Sequence, residues 1–506
     1  MRKTLFASAL LAVTLSIIGR CVVAQENEFS VITGQRQLFL DDYGIAKIES
    51  LKRTMHQPVK KGAVVRGNLA MQIPALQTRM APAWDPQERA FRLWACGATP
   101  SDMHAQQRYA AACFESTDGL QWSVPVMNQV EYHGSKKNNL VSVMVDGKQL
   151  SPDTVVYDPL DPDPHLRYKG LAFYHKGPNQ PHVLVPVAGD GKTWRALSDA
   201  SPIPSSDEFN LSFDDVGKQF IATPKSSFSN GRYGRSVWLT TSTDFRHWTK
   251  PVLIFETDDL DQELARKVIQ QRFADSSLSR PLYNKPADYG SDVYNMGIFR
   301  YEGLYVGTPA VFYHTDNSRS NGFHIVQLAC SRDLHNWTRL GERGAFIGPS
   351  PLGAGAYDLQ QILGPSAPVV KGDELWFYYT GIKYRDPPED AEPDQGAICL
   401  ATLRRDGFIS LDAGEKEGTL LTEPFELAGG KLYVNVEAPN GELRAEVLGS
   451  DGTVLATSSP LTGDLPNGEV QWPEGNLNGL QGKTVSVRFT LRNARFYSYW
   501  LRTATE

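Results

Sequence analysis

Apolar residues fall in short runs of strand character, separated by polar stretches rich in turn formers. Phe91-Arg92-Leu93-Trp94-Ala95, Tyr109 to Ser116, Thr154-Val155-Val156-Tyr157, Tyr168 to Tyr174, Arg235 to Leu239, Asp292 to Met296, Gly303 to Gly307 and Glu374 to Tyr379 each read as one strand. One stretch has helical spacing instead: Leu260, Leu264, Val268 and Phe273 recur on one face, with Asp258 or Asp259 placed to cap its start. Past Asp412 the texture changes to plain alternation, as in Lys431-Leu432-Tyr433-Val434-Asn435-Val436 and Val485-Ser486-Val487-Arg488-Phe489, with turns at Asn440-Gly441 and Asp451-Gly452. The pattern predicts an all-β protein with a long strand-rich region and a small β-sandwich after it.

The strand-rich region carries a recurring word, Ser-x-Asp-x-x-x-Trp. It stands at Ser116 to Trp122, Ser242 to Trp248 and Ser331 to Trp337; Ala188 to Trp194 keeps the Asp and the Trp, and Arg404 to Phe408 keeps only the Asp. An Asp in a tight turn accepts backbone N–H bonds from the residues just ahead of it, and the Trp then opens the return strand. Asp118, Asp190, Asp244, Asp333 and Asp406 are 72, 54, 89 and 73 residues apart. A hairpin recurring at that scale predicts radial repeats, here a five-bladed β-propeller over residues 25–413, with the sandwich over 414–506. The helix is an insertion that accounts for the longest step. Residues Gln37 to Met55 are expected to pack outside the ring or to help close it.

The first 24 residues change the picture of where the protein works. Arg2 and Lys3 precede an apolar run from Leu5 to Ile18, and Val22-Val23-Ala24 offers a cleavage site, so residues 1–24 read as a signal peptide cut after Ala24 and the product as secreted or periplasmic. Arg20 before Cys21 is a poor fit to lipid attachment. Removing three basic residues takes the charge from −6 to −9, which disfavours nucleic acid and anionic membranes as partners. No second apolar run approaches the ~18 residues of a membrane span. Of the remaining thiols, only Cys96 and Cys113 sit on neighbouring strands of one blade, which leaves a disulfide or two buried free thiols open. No Cys-x-x-Cys or His-x-x-x-His spacing points to a metal.

Ligands of a propeller bind where the inner strands begin. Polar residues at those entrances are Asn138 and Asn139, Asp153, Asp207 with Glu208 and Asn210, Asp292, and Asp358. With these residues in place, the chain resembles secreted bacterial proteins akin to the five-bladed propellers of glycoside hydrolase families 32 and 43. The resemblance covers nearly the whole mature chain. It lies in Leu38-Phe39-Leu40-Asp41-Asp42-Tyr43, Gly134-Ser135-Lys136-Lys137-Asn138-Asn139, Arg167-Tyr168-Lys169-Gly170, the Ser-Arg-Asp…Trp word and Arg404-Arg405-Asp406-Gly407-Phe408, with a tail from Gly418 to Asn435 like an accessory sandwich.

The resemblance implies cleavage of a glycosidic bond in an oligo- or polysaccharide by carboxyl groups at the propeller mouth, one as acid and one as nucleophile or base. Asp207 and Asp292 are then the leading carboxylates, Asp358 the third and Glu208 the alternative acid. Arg235 would hold a carboxylate or an anionic sugar, and Asn138, Asn139 and Asn210 would bond sugar hydroxyls. The resemblance also allows a central Ca²⁺, for which no ligand spacing argues; it implies no other cofactor. One departure stands out: between Gly67 and Trp84 there is no Asp or Glu where the pattern has its first-blade acid, and Gln72, Gln77 and Arg79 stand there instead, with Arg79 a candidate for binding substrate. That departure keeps three other readings open: a non-catalytic carbohydrate-binding propeller, a sialidase-like site built from Tyr294 or Tyr313 with Arg235 and Arg300, and a polysaccharide lyase using His314 or His324.

Overall fold

The computed structural model describes residues 29–67, 75–98, 110–175, 182–207, 209–225, 231–353, 355–385, 387–388, 391–473 and 477–503. The signal segment, Gln72 and Glu208 lie outside the described residues. The described residues are all-β apart from the helix Asp259–Ala274 and a few single 3-10 turns.

Between residues 59 and 404 the strands form successive antiparallel meanders. The first holds Ala75–Gln77 and Ala83–Asp85, then Ala90–Ala98, Ala111–Ser116 and Leu140–Val141; the second runs Thr154–Tyr157, Tyr168–Tyr174, Val183–Gly189, Trp194–Ala196. The third runs Phe209–Asp214, Gln219–Pro224, Val237–Ser242, Val252–Phe255. The fourth pairs Gly290–Tyr301 with Leu304–His314, then Gly322–Val326, Ala329–Ser331 and Thr338–Arg339. The last runs Gln361–Leu363, Glu374–Ile382, Gly396–Arg404 and takes its fourth strand, Val59–Arg66, from the N-terminal side of the chain. Neighbouring meanders pack on one another in chain order, Ala83–Asp85 on Thr154–Tyr157, Thr154–Tyr157 on Phe209–Asp214, Phe209–Asp214 on Gly290–Tyr301 and Gly322–Val326 on Gln361–Leu363, and Gly396–Arg404 of the last meets Ala75–Gln77 of the first, so the order closes on itself. Lending Val59–Arg66 to the last meander gives its edge hydrogen bonds a partner.

The Asp of the recurring word does what its position predicts. Asp118 Oδ1 accepts from the backbone N–H of Leu120 and Gln121, Asp244 Oδ1 from Arg246 and His247, and Asp333 Oδ1 from His335 and Asn336, while the Ser two residues earlier donates its hydroxyl to the same oxygen. Asp190, without the Ser, still takes Lys192 and Thr193. Asp406 departs from the pattern: its carboxylate turns inward and leaves the turn to the backbone.

Residues Gln37–Leu38, Ile45–Glu49 and Lys52–Met55 join the C-terminal strands in one eleven-stranded sheet, pairing with Ala494–Arg502, Gly418–Thr422 and Ile409–Ala413. The lead-in therefore divides: Val59–Arg66 helps close the circuit, and what precedes it completes the C-terminal sheet. The long strand Lys431–Gly449 bends so that its first half pairs with Ala494–Arg502 and its second with Thr484–Arg492. One core spans both regions: Phe299, Phe346, Phe377 and Phe408 pack in the same apolar cluster as Phe39, Phe489, Phe496 and Tyr499.

The helix starts as predicted, on a capping box between Asp258 and Asp261. Val268 and Phe273 of the expected stripe pack half-buried beside Ala265 and Ile269, while Leu260 is exposed. Two polar residues share the buried face: Asp261 takes Arg339 and Arg343, and Arg272 donates to the carbonyls of Ser279 and Leu359. Cys96 and Cys113 are buried and not joined by a disulfide, being two positions out of register, Cys96 facing Ala111 and Cys113 facing Trp94 across the strand pair.

Candidate functional site

The third and fourth meanders place charged residues at one common end. Asp292 lies near the start of strand Gly290–Tyr301, and its register partner Phe312 lies near the end of Leu304–His314. Strand Gly322–Val326 adds His324 beside Phe312. Arg235 leads into Val237–Ser242, and Lys225 follows directly on Gln219–Pro224.

Asp292 is wholly buried. The Arg235 guanidinium donates from Nη1 to Oδ1 and Oδ2, both at 3.1 Å, the Arg235 backbone N–H donates to Oδ2 at 3.2 Å, and His314 Nε2 lies 3.3 Å from the same oxygen. Burial pushes the Asp292 carboxyl upward; His314 and Arg235 outweigh it and hold the group ionised, below the usual carboxylate range. Gly234, at φ +130, lets the backbone pass here: a Cβ would stand 2.8 Å from Asp292 Oδ2.

Three cations converge on the rings above this pair. Lys225 Nζ lies 3.6 Å from the Tyr294 ring centre, Arg235 Cζ 5.4 Å and Arg385 Cζ 5.4 Å from the same ring, and both guanidinium groups are within 5.3 Å of Phe312. Lys225 Nζ also pairs with Asp207 Oδ2 at 3.0 Å, and the Asp207 side chain, 49% exposed, reaches solvent. His324 has no exposure; its ring stacks on Phe312 at 4.6 Å and meets the edge of Tyr294 at 4.6 Å. Neither of its ring nitrogens has a hydrogen-bond partner among the described residues. Burial, with Arg385, Arg235 and Lys225 around it, keeps the imidazole neutral, well below its ordinary pKa.

Of the residues expected at a shared mouth, the structure brings together Asp207, Asp292 and Arg235, and with them Tyr294, His314 and His324. Asp358 has other partners: its carboxylate pairs with Lys60 Nζ at 2.6 Å and accepts from Tyr379 OH at 2.9 Å, both within its own meander. Asn138 and Asn139 are buried brackets, donating to the carbonyls of Val130, Ser135 and Cys113. Asn210 ties the third meander to the last through Gly364 O and Ser366 Oγ, with Asn295 donating to its Oδ1. Arg79 is buried beside them, its carbonyl accepting from Ser366 N. Tyr313 stacks on Phe323 and accepts from Gln327, and Arg300 bonds the Glu302 carbonyl and Tyr305.

Lys225 and Arg385 were not legible as site residues. A topological signal exists for them: in a meander the second strand ends where the first begins, so residues at the end of Gln219–Pro224, Leu304–His314 and Glu374–Ile382 face the entrances. Lys225, His314 and Arg385 occupy those three places.

The Asp292 group does not suit a Ca²⁺ ion, since its carboxylate is already enclosed by Arg235 and His314. No cluster of three or more His, Cys, Asp or Glu among the described residues is arranged to hold a metal. No helix among them is long and apolar enough to cross a membrane.

No family model matches the chain, and no curated protein matches it in sequence. Among solved structures it is similar to an N-acetylgalactosamine deacetylase from F. plautii in complex with blood group B trisaccharide, at 13% identity over 71% of this chain and 97% of that one, with a TM-score of 0.41. It is also similar to an exo-beta-1,3-galactanase from Phanerochaete chrysosporium, at 11% identity over 88% and 99%, TM-score 0.37. A third is a glycoside hydrolase family 43 arabinoxylan arabinofuranohydrolase from Bacillus subtilis, at 9% identity over 87% and 99%, TM-score 0.35. At such identities this chain's own side chains decide its chemistry.

Proposed function

We propose that the chain is a secreted glycoside hydrolase, cut after Ala24, in which a five-bladed β-propeller over residues 25–413 cleaves a glycosidic bond of an oligo- or polysaccharide and a β-sandwich over 414–506 braces it. The observation that carries this reading is Asp207. Among the described residues of the cluster it is the carboxylate that reaches solvent, and its partner Lys225 lies over the Tyr294 ring. A carboxylate paired with an ammonium stays ionised, which suits a nucleophile or a base that activates water. Asp292, enclosed by Arg235 and His314, is the third carboxylate: it positions those two groups and meets no substrate atom itself. Glu208, next to Asp207 in sequence, is assigned the acid that protonates the leaving oxygen.

A screen of the purified protein on aryl glycosides and natural oligosaccharides tests this, with Asp207→Asn and Glu208→Gln beside the wild type. Both substitutions are expected to abolish release of new reducing ends while leaving the melting curve in place. Full activity in both would remove the assignment.

His324 favours a second reading. A neutral, fully buried imidazole among cations is the arrangement a lyase uses to take the proton next to a uronate carboxylate, the cations drawing off the charge that develops. An unsaturated uronate at the new chain end, in place of a hydrated one, would select this chemistry over hydrolysis.

A further inference from the structure

We infer that the protein carries a second saccharide-binding site, a groove between the third and fourth meanders at the end remote from Asp207 and Asp292, which takes a short stretch of a neutral sugar chain. The class of ligand comes from the lining of the groove and not from the chemistry assigned to Asp207.

The cavity measures about 400 Å³, within the ~300–1,000 Å³ range of small-ligand sites. One wall comes from Thr249, Lys250 and Val252 of the third meander, the other from Arg300, Tyr305 and the hairpin turn 332–335 of the fourth. Asp292 and Arg300 stand on one strand, and at ~3.3 Å per residue their separation puts the groove about 25 Å from the buried carboxylate. One short saccharide therefore cannot fill both places.

The walls combine an apolar patch with unused hydrogen-bonding capacity. Val252 is 42% exposed, pairs in register with Leu239, and shares the groove with Leu334. Arg300 Nε donates to the Glu302 carbonyl at 2.9 Å and Nη1 reaches Tyr305 OH at 3.5 Å, while Nη2, like Lys250 Nζ, has no partner among the described residues. Gln219 Nε2 donates to Tyr305 OH at 3.2 Å, and that hydroxyl donates to Asp214 Oδ2 at 2.7 Å, which fixes the phenol and the amide in place. The His335 ring adds a group able to donate and to accept.

The charges around the groove are balanced. Arg332 is met by Asp41 at 2.8 and 2.9 Å, Asp333 is engaged by the N–H groups of its own turn and by Asn336 Nδ2, and Asp214 stands behind the hydroxyl that Arg300 approaches. Glu302 faces Arg36 N and Arg405. This balance gives an anion no advantage. A purely apolar ligand would strip water from charged groups without replacing its bonds. A neutral sugar meets both demands: its C–H face covers the apolar patch, and its hydroxyls, each a donor and an acceptor, bond the guanidinium, ammonium and amide groups.

The test uses the full mature chain with Asp207→Asn, so that no bond is cleaved, titrated calorimetrically with galacto-, xylo- and fructo-hexasaccharides, with inorganic sulfate as the anionic control. One hexasaccharide is expected to show a binding event that Arg300→Ala removes or weakens about tenfold, beside one that the substitution leaves alone. Val252→Glu, at an exposed strand position, is expected to act in the same way with the melting curve in place. Backbone amides at 249–252 and 332–335 are expected to exchange more slowly when that sugar is present. Binding that neither substitution alters, no binding of any hexasaccharide, or displacement of the sugar by sulfate at constant ionic strength would each overturn the inference. Cleavage of a hexasaccharide by the wild type, with binding unchanged in both variants, sinks it and leaves the hydrolase reading standing. A binding event lost in both variants, in a chain that cleaves none of the three sugars, does the reverse.

Discussion

Asp292 and Asp406 are both fully buried carboxylates paired with an arginine, and they serve opposite ends. Asp406 accepts from Arg36 Nη1 at 2.6 Å, Tyr301 OH at 2.6 Å, Ser498 Oγ at 2.5 Å and Asn435 Nδ2 at 3.3 Å. Its donors come from the lead-in, the fourth meander and two strands of the C-terminal sheet, so one carboxylate fastens the circuit to the sheet beside it. Three of its four donors are neutral and its one cation is cushioned on Trp500 at 3.8 Å. Asp292 is met instead by Arg235 and by His314 at 3.3 Å, next to a second histidine, His324, whose nitrogens have no partner among the described residues. A buried charge enclosed by donors from several distant segments reads as structure; one that neighbours a carboxylate reaching solvent, as Asp207 does, belongs to a candidate site.

The largest effect that would sharpen this contrast is on activity. Asp207→Asn is expected to lower kcat by about a thousandfold, in the range of removing a nucleophile or base, with no change in denaturant midpoint; a change of midpoint with activity retained would move Asp207 to the structural side. Asp406→Ala leaves Arg36 buried without its anion and should lower unfolding stability by ~3–5 kcal/mol, while turnover per folded molecule stays the same.

Asp292→Asn lies between the two. It should destabilise by ~2–3 kcal/mol because the Arg235 charge loses its partner, and it should also reduce kcat, since Arg235 and His314 drift. Its folded pKa is depressed, so its stabilising contribution is full above the unfolded value of ~3.9 and is lost as pH falls through the folded value. The Asn variant should therefore show a flatter acid limb below about pH 4 in urea titrations.

The smallest effect belongs to His324. Its folded pKa lies well below that of the unfolded chain, so the unfolded state binds the extra proton first, and stability falls as pH drops below ~6.5. His324→Phe should remove ~1–2 kcal/mol of the loss between about pH 6.5 and 5. An unchanged slope over that interval would mean the imidazole has a proton partner in the folded state, and would weaken the contrast with Asp406.

Much of the fold was legible because its signals are local. The Asp of each hairpin word binds N–H groups two and three residues ahead, a contact set by the chain itself, and the capping box of the helix is of the same kind. The helix face was legible in part: Val268 and Phe273 pack inward as their spacing suggests, while Asp261 is buried against Arg339 and Arg343 from a distant segment and Leu260 is exposed. The Lys60 partner of Asp358 was not legible, because it depends on Val59–Arg66 lying in that meander. The lead-in was placed only in part, since strands at 45–55 find partners more than 350 residues away in Ile409–Ala413 and Gly418–Thr422.

The sequence by itself determined the strands, the turns that join them, the start of the helix and the residue types available at the strand entrances, because each depends on neighbours a few bonds apart. Only the tertiary structure decided which of those residues meet. A carboxylate becomes a tie, a bracket or a reactive group according to the charges that distant strands bring within a few ångströms of it, and no local pattern in the chain records those distances.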